Sequence, residues 1–224
     1  MVFLSRCGST TAVRVRDGIN VEIKEEKKNQ NDGSSCSYAC TSLTVWRKSL
    51  LLSCHGFTVF DSTGNLIFRV DNYRGDRTDD IVLMDASGKS LVSLHRKKQS
   101  FVDNWLVFEG EAEKSGGKGK KPIYWVRKHV NLLLQSNPNV LANVFRGSDT
   151  PEKGSAFVIQ GSYERRSCQV IDGLSRQIVA EIKRKDASIQ GISFGLDVFL
   201  LIVRPGFESA FAMSLVLIVD QMFT

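Results

Sequence analysis

Long hydrophobic runs are nearly missing from this 224-residue chain. Its apolar C-terminal stretch, residues 209–219, is uncharged but only eleven positions long, against the roughly 20 apolar residues that span a bilayer. Histidine is scarce: His55, His95 and His129 sit in separate segments, and neither H-E-x-x-H nor G-x-S-x-G occurs. The zinc hydrolases and the nucleophile-elbow hydrolases therefore lack their parts. Asp79-Asp80 is not a working carboxylate pair, because neighbours in a strand point to opposite faces. A reaction needs nucleophile, base and stabiliser together, so no enzyme and no cofactor are expected.

Cysteine is limited to Cys7, Cys36, Cys40, Cys54 and Cys168. Cys36-x3-Cys40 with Cys54-His55 suits zinc poorly, since ligands adjacent in sequence fit a tetrahedron badly. No metal is expected. The first residues lack the apolar core of a secretory signal, Val2 stands where myristoylation needs glycine, and no prenylation box closes the chain. Reduced thiols in a cytoplasmic protein, membrane-peripheral or nuclear, are the expectation.

What is present begins with charge. The net charge of +6 and pI near 9.1 imply mild attraction to phosphates, in lipid or nucleic acid. Residues 195–224 hold Asp197, Glu208 and Asp220 against Arg204 alone, so the basicity lies upstream. Residues 24–35 are charged, then polar, and read as a solvated loop or disordered tail. The expected organisation is an N-terminal segment, 1–40, and one domain, 41–224.

From Thr41 the texture becomes short β-type runs cut by turns, beginning with Leu43-Thr-Val-Trp46. Residues 57–60 and 66–70 flank Asp61-Ser-Thr-Gly-Asn65, a hairpin loop with glycine where φ is positive. Runs at 81–84 and 91–94 flank Asp85-Ala-Ser-Gly88, and 105–108, 123–126, 140–145, 156–160, 167–170, 178–183 and 198–203 follow. Residues 130–134 fit strand or helix. About twelve strands at this spacing signal a sandwich or barrel.

Residues 207–222 form the only helix-like segment and are apolar all round, so they must be enclosed by protein or lipid. Pro205-Gly206 keeps them separate from the preceding strand. Their span of about 24 Å is short for a membrane, whereas a barrel of more than eight strands leaves a lumen wide enough for a helix. The fold expected is mainly β: a closed antiparallel barrel around a C-terminal helix, with Phe211, Met213, Leu215, Leu217 and Ile218 in its core. Asp220 opposes the helix dipole, so it must leave the mouth or meet a base there.

Several stretches carry a resemblance: Thr44-Val-Trp46 with Lys48-Ser49, Gly56-Phe-Thr-Val-Phe-Asp-Ser62, Gly64-Asn-Leu-Ile-Phe-Arg-Val-Asp-Asn-Tyr73 and Val82-Leu-Met-Asp-Ala86. Further on come Gly161-Ser-Tyr163, Val179-Ala-Glu-Ile-Lys-Arg-Lys185, Asp197-Val-Phe199, Pro205-Gly206, Ala210-Phe-Ala-Met213 and Asp220-Gln-Met-Phe223. In this order, over about residues 41–224, they resemble the LURP-one-related family, whose fold is similar to the tubby C-terminal domain and the phospholipid scramblases. The resemblance implies a twelve-stranded barrel around a hydrophobic helix, and a membrane-tethered, lipid-responsive regulator linked to plant defence. Fold alone does not fix function.

For an anionic lipid, phosphoinositide above all, the candidate residues are Arg96, Lys97 and Lys98; Lys118, Lys120 and Lys121; and Lys183, Arg184 and Lys185. Arg forks and Lys charges suit phosphate, although basic runs also simply solvate an outer face. Ala180 and Ile182 share one face of their strand, which puts Arg184 on inward parity near its end. There it either pairs with a carboxylate such as Asp220 or holds a phosphate. The alternatives are a monomeric adaptor for signalling proteins and, with no polar recognition helix, a nucleic-acid-binding regulator. Insertion of the C-terminal segment into a membrane is the fourth.

Overall fold

The computed structural model describes residues 39–52, 54–72, 79–97, 102–111, 120–130, 139–147, 154–185 and 195–224. All of them fall in one compact unit of the chain. Twelve strands follow in order: β1 (Thr41–Trp46), β2 (His55–Phe60), β3 (Leu66–Asn72), β4 (Asp80–Asp85), β5 (Ser90–Arg96) and β6 (Asn104–Glu109). Then come β7 (Tyr124–Lys128), β8 (Val140–Arg146), β9 (Phe157–Ser162), β10 (Ser167–Asp172), β11 (Ile178–Arg184) and β12 (Val198–Val203), before the helix α1 (Ser209–Phe223). Every strand pairs with its sequence neighbours, and β1 closes on β12 with Thr41 opposite Val203 and Trp46 opposite Val198. The result is a closed up-and-down antiparallel barrel, which leaves no free edge.

Alternation does the folding work. Leu43 and Val45, Ile81 and Leu83, Ala180 and Ile182, and Leu201 and Val203 are buried at two-residue spacing, as one inward face requires. They meet α1, whose residues from Ala210 to Asp220 are all buried. Phe211, Met213, Leu215, Leu217 and Ile218 stand in the core as expected. Each fully buried side chain of this size contributes roughly 1.5–3 kcal/mol. Ser214, buried in mid-helix, donates to the Phe211 carbonyl at 2.6 Å and so needs no partner in the wall. No described helix is long and apolar enough to cross a membrane. Of the ambiguous run 130–134, residue 130 lies outside any strand and the rest falls outside the described residues.

Two mouths result. At the proximal mouth, where α1 enters, Tyr124 stacks on Phe211 at 4.3 Å, with Phe157 and Phe207 packed around them. Even-numbered strands end here. Three of their turns are built alike, each around an aspartate whose Oδ1 collects backbone N–H groups: Asp61 from Thr63 and Asn65, Asp85 from Ser87 and Lys89, Asp172 from Leu174 and Ser175. Odd-numbered strands end at the distal mouth, where α1 stops.

Candidate functional site at the distal mouth

The distal mouth is built around Asp220. This carboxylate is 2% exposed in the last turns of α1, where the helix dipole disfavours it. It is held by three donors: Arg47 Nε at 3.0 Å, the Tyr163 hydroxyl at 2.9 Å and Thr224 Oγ1 at 3.3 Å. The basic partner is thus Arg47 and not Arg184, which is exposed. The reason is topological. After Trp46 the chain folds over the rim, with the Arg47 amide bonded to the Asp197 carbonyl at 2.8 Å, so Arg47 reaches the helix end while Arg184 stays on the outer edge.

Tyr163 is fixed from the other side. Arg166, 6% exposed, lies over the Tyr163 ring at 4.0 Å and the Phe199 ring at 4.7 Å. Its guanidinium donates to the carbonyls of Leu196 at 2.8 Å and Tyr163 at 3.2 Å. The backbone of Arg166 has φ 51°, a left-handed conformation that a non-glycine residue adopts only where its surroundings impose it. Burial, and then the neighbouring Asp220 charge, push the Tyr163 hydroxyl pKa well above its ordinary value. It stays a donor at any physiological pH. On the adjoining wall Lys128 donates to the Met222 carbonyl at 2.5 Å and lies 4.4 Å over the Phe223 ring, satisfying a helix C-terminal carbonyl with a cation.

Beside this latch is a cavity of about 160 Å³ lined by Arg47, Lys48, His55, Asn72, Asp220 and Gln221, with Gly56 in its wall. Gly56 is dictated by backbone approach, because a Cβ there would meet the Val70 carbonyl oxygen at 1.8 Å. The Asp220 charge is already matched by Arg47. Arg47 uses Nε for that pair and keeps further donors on its fork, and Lys48 has no carboxylate partner among the described residues. The cavity therefore offers donors and net positive charge, in a volume several times a water's share of about 30 Å³.

The basic clusters expected from the sequence do not form one surface. Arg96 and Lys97 end β5 and Lys183, Arg184 and Lys185 end β11, both at the distal mouth but six strands apart in a ring of twelve. Arg96 is committed to Asp103. Lys183 pairs with Glu181 at 3.0 Å, and Arg204 takes the other Glu181 oxygen at 2.9 Å. Burial raises the Glu181 pKa, but its bonds to Lys183 and Arg204 outweigh that and hold it low. Lys185 reaches across to Thr44 Oγ1 at 3.1 Å, which brings it beside β1. Lys120, bonded to the Glu109 carbonyl, and Lys121 lie at the proximal mouth. There Lys121 lines a wide cleft with Arg146, Tyr124, Glu109 and Glu208. Lys98 and Lys118 lie outside the described residues.

Sequence reasoning missed Arg47, Lys48, Tyr163, Arg166 and Lys128. Their signal was present but scattered: Arg47-Lys48 directly follow a strand whose parity is plain, and Tyr163 follows Gly161-Ser162. Only barrel closure brings them to one rim.

The whole barrel matches known proteins. A family model described as LURP-one-related matches residues 41–220. Protein LURP-one-related 17 of Arabidopsis thaliana is 47% identical over 189 residues, 83% of this chain and 85% of that protein. Protein LURP-one-related 8 of the same plant is 46% identical over 188 residues, 84% and 89% of the two chains. A crystal structure of a protein from Arabidopsis thaliana superposes with a TM-score of 0.58 at 27% identity, covering 84% of this chain and 94% of that one. Arg47, Tyr163, Arg166 and Asp220 lie within the matched span together with all twelve strands, and the chain belongs to the LURP-one-related family.

Proposed function

We propose that this protein is a non-enzymatic regulator that binds the phosphate headgroup of an anionic phospholipid, phosphoinositide in the first place, at the distal mouth. The observation that carries the reading is the cavity lined by Arg47, Lys48 and His55. An Arg fork beside a Lys point charge is the donor set that phosphate takes. Lys185, bonded to Thr44 of β1, adds long-range attraction on the same side of the rim. Burial pushes the Cys168 thiol up to about 12, away from nucleophilic use.

The test is vesicle co-sedimentation at physiological salt. The reading expects retention on phosphoinositide-containing vesicles over zwitterionic ones, and equal recovery on both would end it. An adaptor for signalling proteins, as in plant defence, is the second reading. The wide proximal cleft, with Arg146 5.9 Å over the Tyr124 ring and Glu109 and Glu208 across from it, offers the mixed charge such a contact uses.

A further inference from the structure

Eight large apolar side chains are exposed among the described residues, and they are unevenly placed. Ile123 and Leu174 stand at the proximal mouth; Trp46, Leu50, Leu51, Leu52, Val130 and Leu196 stand at the distal one. Leu52 is 96% exposed and Leu50 51%. Exposure of a floppy loop would mean little, but this loop is pinned at its base. Ser49, 5% exposed, donates to Asp71 Oδ1 at 2.5 Å and accepts the Leu51 amide at 3.0 Å. Thr58 donates to the Lys48 carbonyl at 2.7 Å. A buried serine and a buried threonine thus hold a hook whose tip presents leucines to solvent. Leaving them there costs free energy unless something apolar receives them.

We infer that Leu50, Leu51 and Leu52 are a membrane-inserting tip, which wedges into the interfacial region of an anionic bilayer while the neighbouring cations meet its headgroups. This rests on the lipid reading above and gives it an orientation. The occupant follows from charge. Lys48 sits 5.3 Å over Trp46 at the root of the tip, Arg47 is next to it, Lys185 reaches β1 from β11, and Arg184 is exposed beside it. Apolar tips with cations and a tryptophan at their root match the bilayer interface, where leucine enters the acyl boundary and indole sits at headgroup level. The opposite mouth carries the anchored Asp61, Asp85 and Asp172, whose hydrogen bonds hold Asp61 at about 2 and keep Asp85 and Asp172 low as well. They stay ionised at a negatively charged surface. Among the described residues the proximal mouth mixes these aspartates with Lys120, Lys121 and Arg146, whereas the distal mouth sets cations beside a three-leucine tip, the pairing an anionic membrane takes.

Trp46 makes the inference measurable. Full-length protein is mixed with phosphatidylserine–phosphatidylcholine vesicles, with and without brominated acyl chains, and the double variant Leu50→Asp/Leu52→Asp is compared with Leu174→Asp. Leu174 is an equally exposed leucine, 96%, at the other mouth. The expected result is quenching of wild-type fluorescence by brominated lipid and binding that partly survives high salt. Affinity should fall at least about tenfold in the double variant, since burying one leucine is worth a decade or more, with Leu174→Asp unchanged. Thermal melting confirms that each surface variant is folded. If wild type binds but all binding is salt-labile and the leucine variants are unaffected, insertion is overturned while electrostatic lipid binding stands. If wild type binds no anionic vesicle, the lipid reading falls and the inference with it. A dimer in sedimentation that the leucine variants dissolve would assign the tip to a second copy instead.

Discussion

Removing Arg47 should strand a buried charge, and the cost can be worked from the rim. Asp220 is 2% exposed, and Arg47 supplies its only counter-charge among the described residues. Breaking a fully buried pair by deleting one partner costs about 3–5 kcal/mol. Arg47 is 32% exposed, so water screens part of the pair, and the Tyr163 hydroxyl still donates. About 2–3 kcal/mol remains for Arg47→Met. For a domain of this size that lowers Tm by about 4–12 °C. Asp220→Leu removes the charge instead and leaves the buried Tyr163 hydroxyl without its acceptor, at about 1–3 kcal/mol. Once Asp220 is gone, Arg47→Met should add almost nothing. Urea denaturation of the two single variants and the double therefore yields a coupling of about 2–3 kcal/mol. If Arg47→Met costs as much in the Asp220→Leu background as in wild type, the two groups are independent and the latch does not exist.

Two further outcomes follow from the same geometry. Met213→Lys and Leu217→Asp place an unpaired charge at positions 0% and 1% exposed, which the barrel wall has no partner for. Both should fail to give a cooperative melt, and near-wild-type stability would refute the enclosed helix. In acid, Asp61, Asp85 and Asp172 have folded pKa values below the ordinary 3.8, Asp61 near 2. Their contribution is complete above about pH 4 and is lost as pH falls through those lowered values. Changing all three to Asn should flatten the fall in stability between about pH 4 and 2, as an acid titration of Tm would record.

The barrel and its helix were legible because both rest on local periodicity. Two-residue alternation, aspartate–glycine turns and one segment apolar on every side are properties of short windows, and Pro205-Gly206 marked the hinge between strand and helix. The need for a base near Asp220 was legible too. Its identity was not, since strand parity pointed to Arg184 and the answer depended on how the chain crosses the rim after Trp46. The basic runs are divided by the structure for a related reason. Neighbours in sequence alternate faces or sit in one turn, so Lys183 is neutralised by Glu181 across the same strand. The cations that stand together, Arg47 and Lys48 after β1 and Lys185 after β11, are joined only by the closure of β1 on β12. Arg166 was hidden most deeply, because its positive φ and its stacking on Tyr163 and Phe199 leave no trace in sequence pattern.

Charge reversal at each mouth is the most direct measure of where the anionic ligand binds. Lys48→Glu at the distal mouth and Lys121→Glu at the proximal one change net charge equally, and both side chains lie on the surface. Binding to phosphoinositide-containing vesicles, followed by co-sedimentation at one fixed salt concentration, should be lost or fall steeply for Lys48→Glu and stay near wild type for Lys121→Glu. Equal losses would reduce the interaction to overall charge, and a loss confined to Lys121→Glu would move the site to the opposite end of the barrel.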